Sequence, residues 1–467
     1  MTDILRLPGW VTTSIDETDE RMVIHATYTT QPSVCQACGV VNPSLYKHGP
    51  RNITILDTPI GKPTRIHATV QRYRCRECTG LFMPTLEGID GERRMTLRCV
   101  AYIGKQCLVD TFQRVSEHLG CDEKTIRNVA ATHIEAKDEG YKPYLPVWVG
   151  LDETHLNDDM RGVIADVGTR KPVDLLPDRD KPLLRKWFRQ FKDHSHMKGL
   201  VIDMWAPYRD VVYELFPNLP VVVDKFHVVK KANESVERTR IRLGKTQDPK
   251  VRRGWMRSKA LIRMRYRKLN DKQRFNLDMW LDNEPEMAQA YWLKERLFNI
   301  YDKPKAEAIA DYDSYASDVP ASLKADFHEL TRAMKNWRKE ILNFFDYPIT
   351  NAYTESLNGV TKVMNRMGRG YSFEVIRARM LFNDRKPSAR QLRAQRAAEN
   401  KILYRCACCH GLFPPVEMDA DAEVLAHFRA FVDGDHAKVE NALLVCVECN
   451  TRFHLEETTH HLSLSTE

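Results

Sequence analysis

No run of 18 or more apolar residues occurs in the 467-residue chain, so the length needed for a membrane-spanning helix is missing. The opening MTDILRLPGW lacks the basic start, apolar middle and small-residue cleavage site of an export signal. The expectation is a soluble, unexported, cytoplasmic protein with no membrane partner. Charge of one sign is not in great excess either: 71 Lys and Arg stand against 63 Asp and Glu, a net +8 that matters only where it is clustered. Nor do the 12 cysteines suit a disulfide framework, which belongs to small secreted domains. A chain of this length favours three or four packed units.

The charge is clustered. Between Lys230 and Arg274 there are 17 Lys and Arg against 4 Asp and Glu, interleaved with Trp255 and Tyr266. Such a run is either a solvated helical face or a surface for phosphate backbones, whose binding weakens as salt rises. The cysteines are patterned as well. CQAC supplies Cys35 and Cys38, and YRCREC supplies Cys75 and Cys78. Two such pairs offer four thiolates to one tetrahedral structural Zn²⁺, and the basic stretch between them reads as a small ribbon, giving a zinc-ribbon DNA-binding domain over 1–90.

Residues 111–134, TFQRVSEHLGCDEKTIRNVAATHI, have apolar positions at helical spacing, broken at Gly120, with Asp122 at an N-cap position. A helix-turn-helix, assigned to 91–140, would put Lys124, Arg127 and Asn128 of its second helix toward a major groove. An ordinary helical hairpin is the plain alternative. From Val147 short apolar strands succeed one another (VWVGLDETHL, RGVIADVGT, KPVDLLP), then strands alternate with helices (MKGLVIDMW, YRDVVYELF, PVVVDKFHVV). The expected fold is multidomain α/β: a mixed-sheet core whose first part is 146–230, a helical insertion over 231–345 and a last core part over 346–385. A helical connector, 386–402, leads to a cysteine-rich unit over 403–467.

Three carboxylates fall at informative places: Asp152 on the first core strand beside Glu153, Asp203 at the end of the fourth, and Glu355 one turn beyond a cap at Thr350 or Asn351. Singly, each has an ordinary structural explanation. Together, their order resembles the RNase H-like transposases and integrases. GLDE, VIDMWAPY, FPNLPVVVDKFHVVKKAN and TNAYTESLNGVTKVMNRMGRGYSFEVIRARM resemble, more narrowly, the bacterial insertion-sequence transposases of the ISL3 family, and the paired cysteines and helix-turn-helix resemble the same family.

That resemblance implies a DDE transposase with Asp152, Asp203 and Glu355 as catalytic triad, binding terminal inverted repeats and cutting and joining DNA. It also implies a target DNA, a homodimer or higher oligomer holding two ends, and association with the nucleoid. Carboxylate oxygens suit two Mg²⁺ or Mn²⁺ ions, about 4 Å apart, that flank a phosphodiester. Asp203 is assigned to the triad from strand order, with Asp224 the competing assignment. Asp224 and His227 are read as a D-x-x-H pattern on the strand after Asp203, near the catalytic edge. Asn351 and Asn358 share a helical face with Glu355, and Lys362 and Arg366 continue it toward phosphate or solvent. Trp255, Trp280, Trp292 and Trp337 of the insertion are core residues or surfaces for a DNA end.

In the last unit Cys406 with Cys409 and Cys446 with Cys449 make a second four-thiolate zinc set, leaving Cys408 spare. His427, Asn441 and His454 resemble parts of an HNH-nuclease finger, with Ala426 and Asn450 standing where metal ligands are usual. The expectation is a zinc-stabilised HNH-like fold that binds DNA or protein, an active nuclease being the alternative. Two other readings stay open: a DNA-binding regulator derived from a transposase, and a guide-RNA-dependent nuclease.

Overall fold

The structure, a computed structural model, describes residues 4–41 and 44–383, and beyond them only four two-residue strands between 404 and 446. The chain divides into two compact units, Met1–Asn383 and Asp384–Glu467.

The first unit begins with a five-stranded sheet. β1 (Trp10–Glu17), β2 (Met22–Tyr28), β4 (Thr64–Cys75) and β3 (Leu45–Asp57) lie in that order, with β5 (Leu81–Phe82) on β4. Alternation makes it one-faced: in β2 the buried residues are Met22, Ile24, Ala26 and Tyr28, which meet Leu5, Trp10, Ile55, Ile66 and Val70 in one apolar cluster. The cysteine ribbon is therefore the far end of a long β3–β4 hairpin within a larger sheet. Strands β1 and β2, which precede the first cysteine, are integral to that sheet and were not separately legible.

Three helices follow: α1 (Leu97–Val109), α2 (Phe112–Leu119) and α3 (Glu123–Gly140). Thr96 and Thr111 cap the first two through their side chains. Gly120 ends α2 in the left-handed conformation at φ 60°, where glycine carries no steric cost. A Cβ there would also lie 3.1 Å from Pro63, and the Gly120 carbonyl accepts a 2.5 Å hydrogen bond from Arg65. The turn between α2 and α3 is thus docked on the preceding sheet.

The second sheet has the order β10-β9-β6-β7-β8. β6 (Trp148–Leu156), β7 (Asp159–Asp166) and β8 (Lys171–Leu176) form the expected antiparallel meander, and β9 (Gly199–Ile202) and β10 (Val221–Val223) add in parallel. The crossovers are α4 (Lys181–Arg189) and α5 (Ala206–Leu215). Side-chain alternation gives the sheet two apolar faces. Val149, Leu151, Leu200, Ile202, Val221 and Val223 join the cluster built with the later helices. Leu156, Val163, Ala165 and Leu175 pack with the α1–α3 helices and with α13 (Ala352–Gly368) and α14 (Phe373–Leu381).

Two expectations need correction. Strand β10 ends at Val223, so His227 is not on a strand: it lies in the first turn of α6 (Lys225–Gly244), which Asp224 caps. The basic stretch begins there because the chain has turned from a buried strand into a long, partly solvated helix. The division between core and insertion at 230/231 likewise falls inside this continuous helix. From α6 the chain remains helical, through α7 (Pro249–Arg263), α8 (Asp271–Asn283), α9 (Pro285–Ile300), α10 (Lys305–Tyr315), α11 (Lys324–Asn336) and α12 (Arg338–Leu342), until α13 returns to the sheet. Trp255, Trp280 and Trp337 are buried in this segment, whereas Trp292 is 48% exposed.

In the second unit β11 (Tyr404–Arg405) pairs antiparallel with β12 (Leu412–Phe413), and β13 (Met418–Asp419) with β14 (Val445–Cys446). The connector 386–402 and Cys406, Cys408, Cys409, Cys449, Ala426, His427, Asn441, Asn450 and His454 lie outside the described residues, and of Cys446 only its backbone pairing is described.

Candidate active site and zinc centre

Strand register brings the acidic residues into one row. In the parallel pair β6/β9, Trp148 faces Gly199 and Gly150 faces Val201; carried two residues further, the same register sets Asp152 beside Asp203. In β10/β9, Val223 faces Ile202, so the next residue, Asp224, adjoins Asp203 on its other side. Neighbouring strands lie about 4.8 Å apart. Because Leu151, Ile202 and Val223 point into the first apolar cluster, the residues after them point to the opposite face, toward α13.

Glycine lets α13 reach that row. A Cβ on Gly150 would lie 2.5 Å from Thr354 Oγ1 and 2.6 Å from Asn351 Oδ1, so only glycine at this place in β6 admits the helix start. Asn351, fully buried, is the N-cap, but its side-chain amide donates to the Leu151 carbonyl at 3.0 Å rather than to its own helix. Thr354 donates to Asn351 Oδ1 at 2.5 Å. Two turns along, Asn358 Nδ2 donates to Asp152 Oδ2 at 2.8 Å. Glu355, between them and about one-third exposed, comes to the edge of the row. The face 351, 354, 358 and 361 is buried in α13, a helical spacing that explains why four polar residues line one contact.

The acidic groups are electrostatically unlike one another. Asp224 is buried, and its two oxygens are committed to backbone amides: Oδ1 accepts from Phe226 at 2.9 Å and Oδ2 from Asn351 at 2.6 Å. It ties the start of α6 to the start of α13. Asp203 has a buried Oδ1 with no hydrogen-bond partner, and burial, reinforced by Asp152 and Glu153, pushes its carboxyl up to about 7. Burial also raises Asp152 to about 6, against the Glu153 amide, Lys362 and Asn358, which favour its anion. Glu355 rises to about 7, through burial and then the charges of Asp224 and Asp152. His227 Nε2 lies 3.2 Å from Glu355 Oε1 without the alignment of a hydrogen bond, and burial pushes that imidazole below its ordinary value. Carboxyls raised by burial and mutual repulsion, one of them with an unpaired buried oxygen, are donors of the kind a hard divalent cation takes, although the oxygens of Asp152, Asp203 and Glu355 do not all lie within 4.8 Å of one another.

Two neighbours carried no sequence signal. Arg179, in the polar turn PDRD, pairs with Glu153 at 2.6 Å and lies 4.3 Å over the Trp205 ring. Tyr208 keeps a buried hydroxyl without a partner and is raised by burial and by Glu153, Asp203 and Asp152. In sequence Arg179 is indistinguishable from a solvated turn residue, and Tyr208, within VIDMWAPY, from a helix-start aromatic. Lys362 and Arg366 are exposed on α13.

The cysteines converge at the far end of the first sheet. The four Sγ atoms of Cys35, Cys38, Cys75 and Cys78 all lie within 4.8 Å of one another, the only such group of three or more His, Cys, Asp or Glu donors among the described residues. Cys35 to Cys78 and Cys38 to Cys75 are each 3.7 Å, close to the roughly 3.8 Å edge of a tetrahedron with about 2.3 Å Zn–S arms. The set fits a structural Zn²⁺. On α3, Lys124, Arg127 and Asn128 are exposed, opposite the buried Ile126, Val129 and Ala130; Arg127 pairs with Glu123 at 2.6 Å. No helix among the described residues is long and apolar enough to cross a membrane.

Comparison with known proteins matches three segments of the chain. Residues 31–78 match a family described as the zinc-finger of transposase IS204/IS1001/IS1096/IS1165, 84–134 the helix-turn-helix domain of transposase family ISL3, and 149–380 the ISL3 transposase domain itself. The chain is 23% identical over 353 residues to the transposase for insertion sequence element IS1001 of Bordetella parapertussis, covering 73% of this chain and 86% of the relative. It is 26% identical over 255 residues to the transposase for insertion sequence element IS1557 of Mycobacterium tuberculosis, covering 48% and 56%. The matched domains contain the four cysteines, the α2–α3 turn, and all of Asp152, Asp203 and Glu355, in the order in which the fold assembles them, and the chain belongs to the ISL3 family of transposases.

Proposed function

We propose that the protein binds the terminal inverted repeats of an insertion sequence and performs metal-dependent DNA cleavage and strand transfer at a triad of Asp152, Asp203 and Glu355 on an RNase H-like core. The observation that carries this reading is the strand-end row of Asp152 and Asp203 with α13 laid against it, in which the buried Asp203 Oδ1 has no partner and all three carboxyls are pushed up. A meander followed by two parallel strands supports the core assignment. The three carboxylates would hold two Mg²⁺ or Mn²⁺ ions, which supply Lewis-acid activation of a water or DNA 3′-hydroxyl and of the departing oxygen.

The chain's own groups have separable roles. Asn358 fixes the rotamer of Asp152 and favours its anion. Asp224, saturated by backbone donors, is a positioning residue for α6 and α13 rather than a triad member. His227 and Asn351 set Glu355 against the row. Lys362 and Arg366 are free to meet phosphates, while Lys124, Arg127 and Asn128 face a major groove and the zinc ribbon stiffens the hairpin beside them. Two ends must be held together for transfer, which makes a homodimer or larger assembly the working form.

The test uses the full chain, Mg²⁺ or Mn²⁺, and labelled DNA carrying the inverted repeats that flank its gene. The wild type nicks and joins that DNA, and Asp203→Asn binds it without cutting. Binding unaccompanied by cleavage in the wild type would make the protein a regulator instead.

A further inference from the structure

The helices α1–α3 are not a separate module set beside the catalytic sheet. Leu119 and Ile126 share one apolar cluster with Leu175 of that sheet and with Leu357, Tyr371 and Met380 from α13, α14 and the turn between them. Polar contacts fasten the same junction at three points. At the first, the Tyr371 ring folds back under the end of α13, where a Cβ on Gly368 would lie 2.1 Å from it. The turn needs left-handed backbone at Arg369 (φ 47°) and Gly370 (φ 106°), a conformation that arginine adopts only at a steric cost. The Tyr371 hydroxyl accepts the Phe112 amide, at the start of α2, at 3.1 Å; the two rings lie 4.7 Å apart, and the Arg127 guanidinium of α3 lies 5.5 Å over the Phe112 ring. At the second, Arg379, buried in α14, donates to the carbonyls of Leu108 and Asp110, orphan acceptors at the end of α1. At the third, Arg377 donates to Asp138 in the last turn of α3 and to Asp174 of β8, each at 2.8 Å, and Asp174 also accepts the Trp187 indole N–H at 3.0 Å.

We infer that Tyr371, Arg377 and Arg379 are positioning residues that join α3 rigidly to the helix carrying Glu355, so that the cut falls at a fixed offset from the bases α3 reads. The inference rests on the transposase reading, in which α3 contacts DNA and the acidic row cuts it. Both ends of α3 are held: Arg127, near its start, through Phe112 to Tyr371, and Asp138, in its last turn, through Arg377. A helix held at both ends can neither tilt nor slide against α13. Buried charged donors committed to a neighbouring element fix its orientation, because separating them leaves a charge or a carbonyl unpaired.

The experiment compares the full-length wild type with the double variant Asp138→Ala/Tyr371→Phe, and with Asp138→Asn, which keeps an acceptor for Arg377. Amide hydrogen exchange is read with and without a duplex carrying the gene-flanking inverted repeat. With free DNA at about a hundred times Kd, protection in the wild type rises on the order of a hundred-fold in α3 and by the same factor in α14, because amides of one cooperative body share the linkage. In the double variant the rise stays in α3 and is lost from α14. In Mg²⁺, cuts mapped to the nucleotide fall at one position for the wild type and for Asp138→Asn, and spread over neighbouring positions for the double variant. A merely structural role would lower the rate and leave the position unmoved. Should the double variant not fold, Asp138→Ala alone, at a side chain 28% exposed, carries the same comparison. The inference is overturned if bound DNA protects α3 alone in the wild type, or if the variant keeps the shared protection or the single cut position. A wild type that shares protection but cuts no end would instead count against the transposase reading, since exchange does not require cleavage.

Discussion

Replacing Asp203 by Asn should stabilise the metal-free protein, and only above mildly acidic pH. The carboxyl is carried from an ordinary value of 3.8 to about 7 by burial and by Asp152 and Glu153. Between those limits the folded chain binds more protons than the unfolded one, so this group's contribution falls as pH rises from about 4 and levels off above about 7. The full rise corresponds to about 4 kcal/mol. Asp152 titrates nearby and shares the same repulsion, which brings the expected gain for Asp203→Asn at pH 8 to about 2 kcal/mol. Urea unfolding in EDTA, followed by tryptophan fluorescence, measures it: the variant exceeds the wild type at pH 8, and the gap closes by pH 4. Adding Mg²⁺ at pH 8 should narrow the gap by raising the wild type. An Asp203→Asn protein no more stable than wild type in EDTA at pH 8, or a gap independent of pH, would refute the account of a crowded acidic row.

Other substitutions address other contacts. Asn358→Ala removes the donor to Asp152 Oδ2, so the acid limb of the cleavage profile should move to higher pH, with about a ten-fold loss at pH 7 that shrinks at pH 8.5; an unmoved profile would assign Asn358 a packing role only. Cys75→Ser takes a buried thiolate from the four-cysteine set, and metal analysis should find one zinc fewer per chain, with repeat binding lost. Lys124→Ala on the exposed face of α3 should lower the slope of log affinity against log salt by about 0.9 for one phosphate contact; an unchanged slope would remove Lys124 from the interface. Asn351→Ala leaves the Leu151 carbonyl and Thr354 hydroxyl without their buried partner and should destabilise by about 1–3 kcal/mol, measured by the same unfolding assay.

Much of the organisation was legible because it is local. The two Cys-x-x-Cys pairs, Gly120 in the α2–α3 turn and a cap at Thr350 or Asn351 each declare themselves within a few residues, and helical spacing alone sets Asn358 on one face with Glu355. His227 was misplaced because β-branched residues run unbroken up to Asp224, and nothing in VVVDKFHVV marks where strand gives way to helix; the helix begins when Asp224 accepts the Phe226 amide. Arg179 and Tyr208 were missed for a different reason, since their significance depends on Glu153 and Asp203, which reach them only through strand pairing.

Residue type and spacing alone determined that this chain carries two Cys-x-x-Cys pairs, two helices broken at Gly120, alternating strands and helices of a mixed α/β core and three separated carboxylates, because each follows from chemistry or periodicity read along the chain. Only the tertiary structure decided which aspartate keeps an uncommitted oxygen. Asp203 and Asp224 are equivalent as letters after an apolar strand, yet the fold aims two backbone amides at Asp224 and leaves an oxygen of Asp203 buried without a partner. Hydrogen-bond satisfaction is a property of the partners that folding delivers, and one of the two at Asp224, the Asn351 amide, lies 127 residues away.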